Sequence, residues 1–146
     1  MIYTSYYAKV KKFPENMIPV AISRGIPKWY EGVSYPKLAP LWNTVSTYKN
    51  NVENDKDYWE NWDNNSYNET VLSKLNPQTV AEELQQLVGA GNIPVLLCYE
   101  KSSDFCHRSL AADWFEKAQI QAKEATEEDF ECQRQACIET EEYLEK

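Results

Sequence analysis

The chain has 146 residues, one domain by length, and its 42% hydrophobic and 26% charged composition excludes a disordered protein. A net charge of −8, with no basic stripe, makes nucleic acid a poor candidate partner, because a phosphate polyanion would be repelled. No apolar run reaches the ~18–20 residues that span a bilayer. Met1-Ile2-Tyr3-Thr4 has no basic region of the kind that opens a signal peptide, so a cytoplasmic protein with no membrane partner is expected.

The chain opens on a strand, Ile2-Tyr3-Thr4-Ser5-Tyr6-Tyr7, rich in aromatic and β-branched residues. Ile18-Pro19-Val20-Ala21-Ile22 is a second strand, with Pro19 near its start, where a missing N–H is tolerable. From Ser23 to about Asn68 periodicity is weak, and short helices and loops are expected. Trp42, Trp59 and Trp62 fall in this stretch as packing residues. Asn76-Pro77 then opens a helix, with Asn as cap and Pro at the first position. Val80, Leu84, Leu87 and Val88 form its buried face, and Gly89 ends it. Ile93-Pro94-Val95-Leu96-Leu97-Cys98-Tyr99 is almost wholly apolar, as expected of a strand buried on both faces of a parallel sheet. A further helix starts near Asp104 and buries Leu110, Ala111, Trp114, Phe115 and Ala118.

This order predicts an α/β fold: a Rossmann-like, open, mostly parallel sheet with helices on both faces in a single domain. Residues 1–122 form the α/β domain and 123–146 an acidic C-terminal helix or tail. That tail carries nine acids against three bases, net −6, leaving −2 on the rest of the chain. Phe130, Cys137 and Leu144 lie seven apart within it, consistent with a solvated surface helix or with a docking or dimerisation helix.

Ligands of open α/β sheets bind beyond the carboxyl ends of the strands. Here Thr4-Ser5-Tyr6, Ser23-Arg24-Gly25 and Cys98 to Arg108 meet that edge. If Ser103 or Asp104 caps the second helix, Cys106, His107 and Arg108 fall in its first turn. Unpaired N–H groups and the helix dipole there favour phosphate or carboxylate, and Arg108 adds a bidentate donor. Basic residues are electrostatically disfavoured at a helix start, so a carboxylate from Asp104 or Glu100 is the alternative explanation for His107 and Arg108. Cys106 beside Arg108 has the setting of an activated thiol. It lacks the Cys-x5-Arg spacing of phosphatase loops, so a packing role is the stronger reading, as it is for Cys98. The four cysteines lack the close paired spacing of zinc ligands; neither metal nor cofactor is expected.

Leu96-Leu97-Cys98-Tyr99-Glu100-Lys101 followed by Phe105-Cys106-His107-Arg108 resembles the bacterial and phage family called domain of unknown function 488. Tyr3-Thr4-Ser5-Tyr6, Ile22-Ser23 and Pro27-Lys28-Trp29-Tyr30 extend the resemblance from residue 2 to about 115. It implies a Rossmann-like fold and a pocket built by Ser5, Tyr6, Ser23, Arg24, Tyr99, Glu100 and Cys106 to Arg108. It also links the chain to nucleotide-centred prokaryotic conflict systems.

Two functions follow as expectations. In the first, the chain binds a phosphorylated, nucleotide-derived molecule of the ADP-ribose type without turnover. The helix start and Arg108 take the phosphate, Trp29, Tyr30 or Tyr99 stacks on the base, and Glu100 accepts from ribose hydroxyls. In a phage setting such a binder is a sponge for a host immune signal, with the TIR-derived signals of the Thoeris system as the natural candidate. In the second, the chain hydrolyses or transfers a nucleoside or nucleotide, with Glu100 as nucleophile or base and His107 as general acid. No nucleophile–base pair is recognisable from spacing, which favours binding over catalysis. A protein-binding adaptor acting through the acidic tail is a third possibility, and a homodimer that completes the pocket is one expected assembly.

Overall fold

The computed structural model describes residues 1–40, 67, 71–99 and 107–145, with side chains through residue 139. Among them, five strands form one all-parallel sheet. These are β1 (Ile2–Tyr6), β2 (Met17–Ala21), β3 (Val33–Ser34), β4 (Ile93–Cys98) and β5 (Ala122–Glu124), in spatial order β3-β2-β4-β1-β5. The helical elements bounded among the described residues are α1 (Pro77–Val88), α2 (His107–Lys117) and α3 (Glu127–Glu145), with 3-10 turns at Tyr7–Lys12, Pro36–Leu38 and Leu72–Lys74. The fold is therefore α/β with a parallel sheet, as the order of elements predicted.

β4 lies between β2 and β1, pairing Val95 with Pro19 on one side and with Tyr3 on the other. Its lack of alternation follows from that position, because both of its faces are covered. Leu96 and Cys98 join the core under α1 and α2, with Val80, Leu84, Leu110 and Phe115. Val95 and Leu97 face the opposite core, with Tyr3, Tyr7, Met17 and Phe130 of α3.

Pro19 sits in mid-strand, not at the start. β3 pairs only with Val20 and Ala21, and the Pro19 carbonyl instead accepts from the Tyr30 hydroxyl at 3.0 Å. A residue's N–H and C=O point to the same side of a strand, so the missing donor falls where no ladder bond is made.

α1 is built as its sequence signals dictate. The Asn76 side chain accepts from the Thr79 N–H at 3.1 Å, Pro77 occupies the first position, and Gly89 ends the helix with φ of 94°. Val80, Leu84 and Val88 are buried, but Leu87 is exposed. It stands about 60° from the centre of the buried face at 100° per residue, at the rim rather than within it. In α2, Leu110, Ala111 and Phe115 are buried as expected, Trp114 and Ala118 only partly, and Ala112 is buried in addition.

The acidic segment joins the sheet. β5 pairs with β1 in the register Thr4↔Glu124, and α3 begins with a reciprocal cap. Thr126 Oγ1 accepts from the Asp129 N–H at 3.2 Å, and Asp129 Oδ2 accepts from the Thr126 N–H at 2.8 Å. Glu127, Glu128 and Asp129 in the first turn suit the helix dipole. Phe130 is buried against Phe13, ring centroids 5.3 Å apart, while Cys137 is only partly buried and the Leu144 side chain lies outside the described residues. Asn16 to Gln133 and Arg134 to the Lys12 carbonyl add polar contacts along the same helix. No described helix is long and apolar enough to cross a membrane.

Candidate functional site

β1, β2 and β4 end at Tyr6, Ala21 and Cys98, and the residues that follow them line the carboxyl edge of the sheet. Among the described residues, three side-chain clusters occupy that edge, divided between its two faces.

The first cluster is aromatic and lies on the α3 side. The buried Tyr7 ring meets Trp29, Tyr30 and Tyr99 edge-on, with centroids 6.3, 5.4 and 4.9 Å away. Trp29 and Tyr99 remain 56% and 54% exposed, so two large rings stand in water against a buried one. The Tyr7 hydroxyl is 2.5 Å from Ser23 Oγ, and Ser23 is in turn 2.5 Å from the Gly25 carbonyl. A carbonyl can only accept, so the one Ser23 proton goes to Gly25 and Tyr7 donates to Ser23. Burial pushes the Tyr7 phenol well above its ordinary value, which keeps that donor protonated. Burial also pushes Tyr30 up to about 12, offset only in part by the Ala21 backbone, and it raises Tyr99.

The second cluster surrounds Arg108 on the α1/α2 side. Arg108 Nε and Nη2 donate to Glu124 Oε1 and Oε2 at 3.0 and 3.1 Å, a two-point fork. Thr4 Oγ1 donates to the same Glu124 Oε1 at 2.6 Å. The guanidinium also lies 5.9 Å from the centroid of Tyr6. An arginine in the first turn of α2 thus has a carboxylate partner, but it comes from β5, a segment the local sequence did not suggest.

The third cluster centres on His107, also buried. Its Nε2 is 2.8 Å from the Ile22 carbonyl, so this nitrogen carries the proton and donates. Cys98 Sγ lies 3.4 Å from Nε2 and 3.6 Å from Nδ1, and the Tyr67 ring stacks edge-on at 5.3 Å. Cys98 is itself fully buried, in keeping with a packing role.

Of the residues expected at the site, Ser5 is buried at the end of β1 opposite Leu97, and Tyr6 reaches the Arg108 cluster. Ser23, Trp29 and Tyr99 share the aromatic cluster. Arg24 ties the loop after β2 to the next turn, through Nε to the Pro40 carbonyl at 2.9 Å and Nη2 to that of Ala39 at 3.4 Å. Glu100 and Cys106 lie outside the described residues, as do Asp104, Trp42, Trp59 and Trp62. Sequence reasoning placed Thr4 at this edge without giving it a role and did not single out Tyr7, Tyr67 or Glu124. The alternation of β1 places Thr4 and Tyr6 on one face and could have flagged Thr4. Among the described residues no group of His, Cys, Asp and Glu side chains could hold a metal ion.

A small parallel-sheet α/β domain with its polar and aromatic side chains gathered at the carboxyl edge is the class these features define. The chain belongs to the DUF488-N3a family, described as the active DUF488-N3 subclade, whose family model matches residues 12–119. No curated protein and no solved structure matches the chain.

Proposed function

We propose that the chain binds a phosphorylated, nucleotide-derived molecule of the ADP-ribose type at the carboxyl edge of its sheet and holds it without turnover. The observation that carries this reading is the pair of exposed rings, Trp29 and Tyr99, set edge-on to buried Tyr7. Large aromatic faces left in water suit the stacking of a base. The first turn of α2 supplies the anion-binding N–H groups of the same edge, while Arg108 beneath it is buried and paired with Glu124. In a phage, such a protein acts as a sponge that removes an immune signal from a host defence enzyme.

The placement of His107 supports binding over catalysis. A general acid must reach its substrate, whereas His107 is buried and its Nε2 is committed to the Ile22 carbonyl. The family's description as an active subclade favours a second reading, turnover of a nucleoside or nucleotide with Glu100 as base or nucleophile. One experiment separates the two. The protein is incubated with ADP-ribose conjugates and cyclic nucleotides and then filtered, and both fractions are read by mass spectrometry. Intact ligand released from the protein on denaturation supports sequestration. New products in the filtrate support turnover, and no retention together with no product would refute both.

A further inference from the structure

We infer that Glu124, supplied by β5 from beyond the family-matched residues 12–119, is a positioning residue for Arg108. Its bearing on ligand binding rests on the function proposed above. A guanidinium does not shed its charge on burial, so Arg108, with 1% of its surface exposed, requires a counter-charge. Glu124 supplies one through both oxygens, and it engages two donors at once, fixing the plane of the guanidinium as well as its position.

Glu124 is fixed in its turn. The β1–β5 register sets it directly beside Thr4, whose hydroxyl donates to Oε1 at 2.6 Å, and the Ala125 N–H donates to the Thr4 carbonyl at 2.8 Å. The Arg108 side chain therefore ties the first turn of α2 to the β1–β5 pair at the ligand edge, next to Tyr6. His107 occupies the preceding position of that turn. Held in this way, the helix start meets a ligand already ordered and loses little side-chain entropy on binding.

The test uses the full chain and two readouts. In the ligand-free protein, solvent exchange of the Arg108 Nε–H is followed by heteronuclear NMR. Affinity for ADP-ribose is followed by calorimetry. In Glu124→Gln, exchange should speed up and ADP-ribose affinity should fall, each by about tenfold, because a charge-assisted bond becomes a neutral one. Glu124→Asp, which keeps the charge on a shorter arm, should recover part of both. Should Glu124→Gln fail to fold, Thr4→Val removes only the bond that orients Glu124 and should produce a smaller change of the same sign.

Unchanged Arg108 exchange in Glu124→Gln would overturn the inference. So would faster exchange with undiminished ADP-ribose affinity, since Arg108 would then be loosened without consequence for the site. If the unaltered protein binds no ADP-ribose, the ligand reading fails by itself, and the exchange measurement still decides whether Glu124 holds Arg108.

Discussion

Trp29→Ala separates the ligand surface from the core, and its two effects can be sized from the structure. Trp29 is 56% exposed, and its described ring contacts are edge-on to Tyr7 at 6.3 Å and Tyr30 at 6.5 Å. Both distances approach the ~7 Å limit of aromatic pairing, so each contact contributes at the low end, about 0.5 kcal/mol. Truncating a fully buried tryptophan costs about 3–5 kcal/mol, and with over half of this one already in water a loss of about 1–2 kcal/mol is expected. A base stacked on the ring contributes about 1–3 kcal/mol, which predicts an increase in Kd of about 5- to 150-fold. Urea unfolding followed by circular dichroism measures the first effect. Calorimetric titration with ADP-ribose measures the second. Small loss of stability with large loss of affinity is the expected combination. A stability loss as large as that of a core tryptophan would mean that the ring is a packing residue. Unchanged affinity in both Trp29→Ala and Tyr99→Ala would refute the stacking site.

Other substitutions probe the supports of that edge. Tyr7→Phe keeps the three edge contacts and deletes only the hydroxyl that donates to Ser23, so it should cost about 1 kcal/mol in chemical unfolding, whereas Tyr7→Ala should cost about 3 kcal/mol or more. Phe130→Ala should destabilise the whole domain by about 3 kcal/mol in the same assay, because Phe130 is buried in the core beneath β1 and β4; a change within about 0.5 kcal/mol would show that α3 is an independent appendage. Burial alone would raise the Asp129 carboxyl, but hydrogen bonds from Thr126 and the Lys123 ammonium outweigh it and hold the group below its ordinary 3.8. A lowered folded value means stabilisation that is present above the unfolded value and lost as pH falls through the folded one. The stability gap between the native chain and Asp129→Asn should therefore shrink as pH is lowered below 3.8, and a gap that stays constant would contradict the assignment.

Much of this architecture is legible in short windows of sequence. Asn76, Pro77 and Gly89 bound α1 because capping acts within one turn, through groups only three or four residues apart. The unbroken apolar run of β4 announces a strand covered on both sides, and with it a parallel sheet whose carboxyl edge gathers Tyr6, Ser23, Tyr99, His107 and Arg108. The division of that edge is not legible. Whether a side chain lies on the α3 side with Tyr7 or on the α1/α2 side with Arg108 depends on the strand's register and on which way the chain leaves it. The Glu124 partner of Arg108 was hidden for the same reason. Ala122-Lys123-Glu124 contains no β-branched or aromatic residue and opens the acidic segment, so its composition suggests a solvated surface. It becomes a strand only because β1 offers a free edge, and that pairing sets Glu124 beside Thr4, 120 positions away along the chain. Local preference thus determined the helices and the central strand. Long-range pairing alone brought the Glu124 carboxylate to the buried arginine, because a contact between distant residues leaves no periodic trace in either segment.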